Sequence, residues 1–129
     1  MTSPYFRTVR IALGLTAAEI GERVGKSLRT VRLYDAGKLD PAPEALSATS
    51  TLVSDMAQKL EPYINTRSGS HRTFTLYDYQ NEEHFHDEIG DEYEGWTLGQ
   101  YRTFLGHVIV VLEAKGLSYQ LVQKERKES

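Results

Sequence analysis

Two short stretches of this 129-residue chain carry side chains able to do chemistry. Ser27-Leu28-Arg29-Thr30-Val31-Arg32-Leu33 holds two hydroxyls and two guanidiniums among apolar residues. A guanidinium donates through a planar fork, which suits anions or two neighbouring acceptors on a flat ring edge. His84-Phe85-His86-Asp87-Glu88 offers imidazoles and carboxylates, which are ligand types for zinc or manganese. On a helix His84 and His86 point to different sides, and on a strand a shared face depends on register. Seven acids lie between Glu82 and Glu94, so we read this stretch as a solvated acidic segment without a metal. No Ser-His-Asp arrangement, phosphate-cradling glycine loop or matched carboxylate pair stands out, so neither catalysis nor a cofactor is expected. Cysteine is absent, which excludes thiolate chemistry, disulfides and cysteine-containing zinc sites.

The elements around the first stretch follow from local signals. Ser3 as N-cap and Pro4 as first helical residue open a helix whose face carries Phe6, Val9, Ile11 and Leu13 and which stops at Gly14. Thr16 with Glu19 three residues on forms a capping box, and Ile20 and Val24 give the second helix a buried face up to Gly25. Ser27 caps a third helix with Leu28, Val31 and Tyr34, alongside Leu33, ending at Gly37. Gly21 sits where two helices cross closely, and Gly25 supplies a turn in which a positive φ costs glycine little. Ile20, Val24, Val31 and Tyr34 form the shared core, which leaves Ser27, Leu28, Arg29 and Arg32 facing outward.

Charge is segregated. Residues 1–38 hold seven Lys/Arg against three Asp/Glu, and residues 39–129 hold eight against fifteen, within a formal net charge of -3. A basic module that approaches an anion and an acidic one that does not is the expected division. Backbone amides near Thr16 and Ala17, at the start of the second helix, suit a phosphate, with Lys26 and Lys38 adding mobile charge.

Downstream, Leu46, Leu52, Val53, Met56 and Leu60 predict one longer helix to Pro62, with a possible break near Ser50. Residues 65–72 are polar and read as a linker or loop. Thr73–Tyr77 and Ser118–Val122 read as strands, and Leu98, Tyr101, Leu105, Val108, Ile109 and Leu112 predict a long helix ending at Gly116. Residues 123–129 are expected to fray. The fold class is therefore mainly α with a small α+β C-terminal part. The expected domains are a helical part (1–64), a linker or loop (65–72), a small α+β part (73–122) and a tail (123–129).

Residues 5–45 resemble the lambda repressor and Cro type of helix-turn-helix (XRE-like). Arg10-Ile11-Ala12-Leu13-Gly14-Leu15-Thr16, the run Glu19 to Val31 with Gly21, Gly25 and Ser27, and Tyr34-Asp35-Ala36-Gly37-Lys38 carry the likeness. The resemblance implies an N-terminal helical bundle that binds double-stranded DNA, with base edges read by Ser27, Leu28, Arg29, Arg32 and Leu33. Arg29 suits guanine O6 and N7, Leu28 a thymine methyl, and the alternative for both arginines is phosphate contact alone. It also implies a structural pair between Arg10 and Asp35, weakened or water-bridged because Asp is shorter than the family's Glu.

Members of that family bind as dimers, and Leu98, Tyr101, Leu105, Val108, Ile109 and Leu112, with Gly106, are material for a homodimer interface or for an intrachain core. A weaker likeness joins the chain to anti-CRISPR-associated (Aca-type) repressors and their YdiL-like relatives, carried by layout and by Trp96 before the long helix. It implies autoregulation of a small operon on a phage or mobile element. The competing reading is an antitoxin-like protein whose acidic second half grips a partner protein. No stretch reaches the roughly 18 apolar residues of a membrane span, and no secretory signal is present, so a cytoplasmic location is expected.

Overall fold

The structure, a computed structural model, describes residues 4–125. These are mainly helical, with six helices and a small parallel sheet of two strands near the C-terminus. The chain divides into two compact units, Met1–Lys59 and Leu60–Ser129.

In the first unit, α1 (Tyr5–Leu13), α2 (Ala17–Val24) and α3 (Leu28–Asp35) stand where the capping signals put them. Pro4 occupies the N-cap of α1 instead of its first helical position, and Ser3 lies outside the described residues. Thr16 and Glu19 close the full capping box, with Thr16 Oγ1 accepting from the Glu19 amide at 3.1 Å and Glu19 Oε1 accepting from the Thr16 amide at 2.8 Å. Gly25 has φ 72°, the left-handed value that turns the chain from α2 into α3 without a Cβ clash. α3 ends at Asp35, and Gly37 turns the chain just beyond it at φ 70°. Phe6, Leu13, Leu15, Ile20, Val24, Val31 and Tyr34 form the core, with Phe6 and Tyr34 packed edge to face at 5.1 Å.

A Cβ placed on Gly21 would lie 2.7 Å from the Lys26 carbonyl oxygen, which is backbone and cannot swing aside. Gly21→Ala should therefore destabilise the chain by about 1–3 kcal/mol, read as a lower denaturant midpoint at unchanged slope. A neutral outcome would mean the α2–α3 crossing is looser than described.

α4 (Pro43–Ile64) corrects the sequence expectation in two ways. It runs unbroken through Ser50 and carries Pro62 inside its last turn, where a missing N–H forfeits a single helical bond. Its buried residues are Ala45, Thr49, Leu52 and Met56, while Leu46 and Val53 face solvent. Thr49 is tolerated inside because its hydroxyl donates to the Ala45 carbonyl at 2.7 Å.

The second unit begins in the last turn of α4. Residues 65–72 form neither helix nor strand. β1 (Thr73–Asp78) then pairs in parallel with β2 (Ser118–Gln123), in register from Thr73↔Ser118 to Asp78↔Gln123. Parallel strands need a long connection, supplied here by α5 (Glu82–Ile89) and α6 (Leu98–Ala114). Gln123 belongs to β2, and the Lys124 amide donates to the Asp78 carbonyl at 2.9 Å, so the start of the expected frayed tail is paired. Residues 126–129 of that tail lie outside the described residues.

α5 replaces the expected solvated acidic segment. Asn81 caps it by accepting the His84 amide at 2.8 Å, and His84 and Phe85 are both fully buried. Both Glu82 carboxylate oxygens accept the Leu98 amide, at 2.9 and 3.1 Å, so one acid of the run caps α6. Phe85, Tyr79, Tyr93, Tyr101, Phe104 and Trp96 then pack ring against ring as the centre of the unit.

Burial, more than neighbouring charge, holds the Tyr93 and Tyr101 phenols well above the ordinary tyrosine range, and the Tyr101 hydroxyl also donates to the Tyr77 carbonyl at 2.7 Å. An acid whose pKa rises on folding contributes its stability fully below its unfolded pKa. That contribution is lost as pH climbs past about 10 toward the folded value. Stability should thus fall above pH about 10, by up to about 1.4 kcal/mol per pH unit for each such tyrosine. Phenolate absorbance should rise together with loss of helical ellipticity. Tyr93 and Tyr101 titrating near 10 in an intact fold would contradict the described core.

Candidate nucleic-acid interface

The outward side of α3 is built by what its inward side must bury. Val31 and Tyr34 point to the core, so at 100° per residue the opposite face centres on Arg29, flanked by Arg32 and Leu33. The Arg29 and Arg32 side chains are exposed and form no ion pair or hydrogen bond among the described residues. Leu28 is 38% exposed beside them, and Leu33 is half-buried. A bare pair of guanidiniums on a rigid helix can fork onto base acceptors or onto phosphates.

Ser27 has a different duty from the one expected. Its Oγ accepts the Thr30 amide at 3.1 Å and donates to Thr30 Oγ1 at 3.0 Å, so the hydroxyl is spent on capping. Thr30, passed over in the sequence reading, thereby becomes the hydroxyl of this turn with a proton still to donate.

The groups expected at phosphates divide similarly. Thr16 uses both its hydroxyl and its amide in the capping box, which leaves the Ala17 amide at the mouth of α2. Lys38 is exposed, and its ammonium has no partner among the described residues. Lys26 is already engaged, with Nζ 2.8 Å from Glu44 Oε1 in the first turn of α4. The hydrogen bond between them pushes the Lys26 pKa up and the Glu44 pKa down. Glu44 is 18 residues away, beyond the reach of any local spacing rule. Lys26 can reach an external anion only by leaving it.

Arg10 and Asp35 meet directly, which corrects the expectation of a weakened or water-bridged pair. Arg10 Nη2 lies 2.9 Å and Nε 3.4 Å from the two Asp35 oxygens, and Nη1 donates to the Leu15 carbonyl at 2.9 Å. Both side chains are less than one-fifth exposed. The bidentate fork ties α1 to the end of α3 and sets the tilt of the exposed face.

No protein-family model and no curated protein matches this chain.

The second unit corrects the expected dimer surface. Leu98, Tyr101, Leu105, Val108 and Leu112 are all buried against the chain itself, and Ile109 is half-buried. Buried side chains cannot meet a second copy, so these five are core, while Ile109 keeps part of its surface exposed. The outer side of α6 carries Gly106 and Val110.

His84 and His86 lie on opposite sides of α5. Buried His84 accepts the Gln80 amide at Nδ1, 3.2 Å away, while exposed His86 pairs with Glu82 at 3.1 Å. Among the described residues no group of three or more His, Asp or Glu is arranged to hold a metal ion. No helix there is long and apolar enough to cross a membrane.

Proposed function

We propose that α2, the turn 25–27 and α3 act as a helix-turn-helix of the lambda repressor type, and that the chain is a sequence-specific transcriptional regulator. The observation that carries this reading is the face of α3 on which the Arg29 and Arg32 side chains project without a partner among the described residues, beside the exposed Leu28. A buried helix pair held by Gly21 and Gly25, with a +4 balance over residues 1–38, supports it. In this reading Arg29, Arg32, Leu28 and Leu33 contact base edges, Ala17 and Lys38 contact phosphates, and Ser27 holds the reading helix. The protein acts in the cytoplasm as a dimer on a pseudo-palindromic operator, its two reading helices about one DNA turn, roughly 34 Å, apart. Repression of its own small operon is the role the arrangement suits.

Selection of bound sequences from random duplexes should return a twofold-symmetric consensus with half-sites about 10 base pairs apart. Recovery of unrelated sequences at uniform affinity would defeat the proposal.

A second reading rests on Asp91, Glu92 and Glu94, three exposed acids within four residues, whose negative charge would attract a basic partner protein. It predicts a complex that dissociates with added salt whether or not DNA is present.

A further inference from the structure

The two-stranded sheet is unfinished on one side. Parallel sheets are ordinarily covered on both faces, and an open edge strand presents unpaired N–H and C=O groups that can template another strand. Because the Lys124 amide donates to the Asp78 carbonyl, the parallel ladder points residues 118, 120 and 122 of β2 toward β1. Tyr119, Leu121 and Gln123 therefore aim their N–H and C=O groups outward, and these groups have no partner among the described residues.

The sheet's two edges differ. On the outer side of β1 the Tyr77 carbonyl accepts the Tyr101 hydroxyl and the Tyr79 carbonyl accepts Arg102 Nη2, both at 2.7 Å. Arg102 Nε also holds the Asp78 carboxylate at 2.9 Å. Among the described residues β2 has no such guard. Residues 118–123 contain no charge and no proline, the usual protections of an exposed edge. Leu121 shares the sheet face of buried Phe74 and Leu76, yet is 52% exposed.

We infer that the β2 edge is where a second copy of this chain docks, antiparallel across a twofold axis at Leu121, to give a continuous four-stranded sheet. The inference rests on the dimeric reading above and names its surface. With Leu121 opposite its own mate, Tyr119 faces the partner's Gln123, so all three outward-facing residues find outward-facing counterparts and six hydrogen bonds form. Lys124, whose ammonium lies 3.4 Å from Glu88 of its own chain, then stands opposite the partner's Ser118, so no like charges meet across the pairing. Head-to-tail growth onto β1 is blocked by Tyr101 and Arg102, so the assembly closes at two copies.

The chain lacks cysteine, which makes single-cysteine cross-linking clean. Hydrogen-bonded antiparallel partners stand with Cα atoms about 5.5 Å apart, within the span of a disulfide. Leu121→Cys should form a disulfide-linked dimer under mild oxidation. Val110→Cys, on the outer side of α6, should not. In sedimentation equilibrium Leu121→Lys should weaken dimerisation about a hundredfold while keeping the wild-type circular dichroism, since two apolar contacts are lost and two like charges meet on the axis. Cross-linking faster at Val110 than at Leu121, or a folded Leu121→Lys chain that dimerises like wild type, would overturn the inference. Should Leu121→Lys misfold, the cysteine pair decides alone. A wild-type chain that is monomeric but still selects a DNA sequence would overturn the strand pairing and leave the DNA reading standing.

Discussion

Arg29→Ala should lower affinity for the selected operator by about 30-fold or more while leaving random DNA almost unchanged, because the dimer loses a bidentate base contact in each half-site, each worth about 1–3 kcal/mol of discrimination. The loss should map to one position in each half-site, where the variant accepts all four bases alike. Lys38→Ala should behave differently. In the proposed complex it would remove one phosphate contact per subunit, so operator and random duplexes should weaken together, and the slope of log K against log salt should flatten by about 1.8 for the dimer, about 0.9 per subunit. Gel shifts at several salt concentrations separate the two. Equal losses on operator and random DNA for Arg29→Ala would reduce α3 to a phosphate-binding helix and remove the claim of base reading. The variant should fold normally, since Arg29 is exposed and makes no contact that the core needs.

Phe85→Ala is expected to cost about 3–5 kcal/mol, a large share of the roughly 5–15 kcal/mol that holds a typical domain together. Its ring is fully buried and packs on Tyr79, Tyr93 and Tyr101 with centroids 5.1 to 6.3 Å away, so truncation opens a cavity inside an aromatic cluster that cannot collapse around it. Thermal or urea unfolding of the variant measures the effect directly. A loss under 1 kcal/mol would mean that residues 82–89 are the loosely held surface segment their charge suggests, and not a structural helix. Glu82→Ala provides a graded companion: removing the carboxylate that caps α6 should cost about 1 kcal/mol.

The contrast between α2 and α5 shows which signals a sequence carries openly. Thr16 and Glu19, three residues apart, satisfy each other's amides, and that geometry depends on nothing outside one helical turn. Ser27 capping α3 and Gly25 turning the chain are equally local, so all of them were legible. In α5 the cap is as local, with Asn81 accepting the His84 amide, but seven acids in thirteen residues masked it. Its buried face is made of Phe85 and an imidazole, a composition that periodicity of apolar residues does not register. Periodicity also misjudged α4, where Thr49 takes a core position that its own hydrogen bond makes tolerable.

Taken by itself, the sequence determined the three short N-terminal helices, the crossing at Gly21, and the outward set of Arg29 and Arg32, because caps, turns and helical phase act within a few residues. Only the tertiary structure decided that Lys26 is held by Glu44, that Ser27 serves its helix and not a ligand, and that Leu105, Val108 and Leu112 line the chain's own core. It also decided which edge of the sheet stays open. The reason is physical: burial and pairing between residues far apart depend on which surfaces the chain brings together, and an apolar or charged side chain carries no mark of what will cover it.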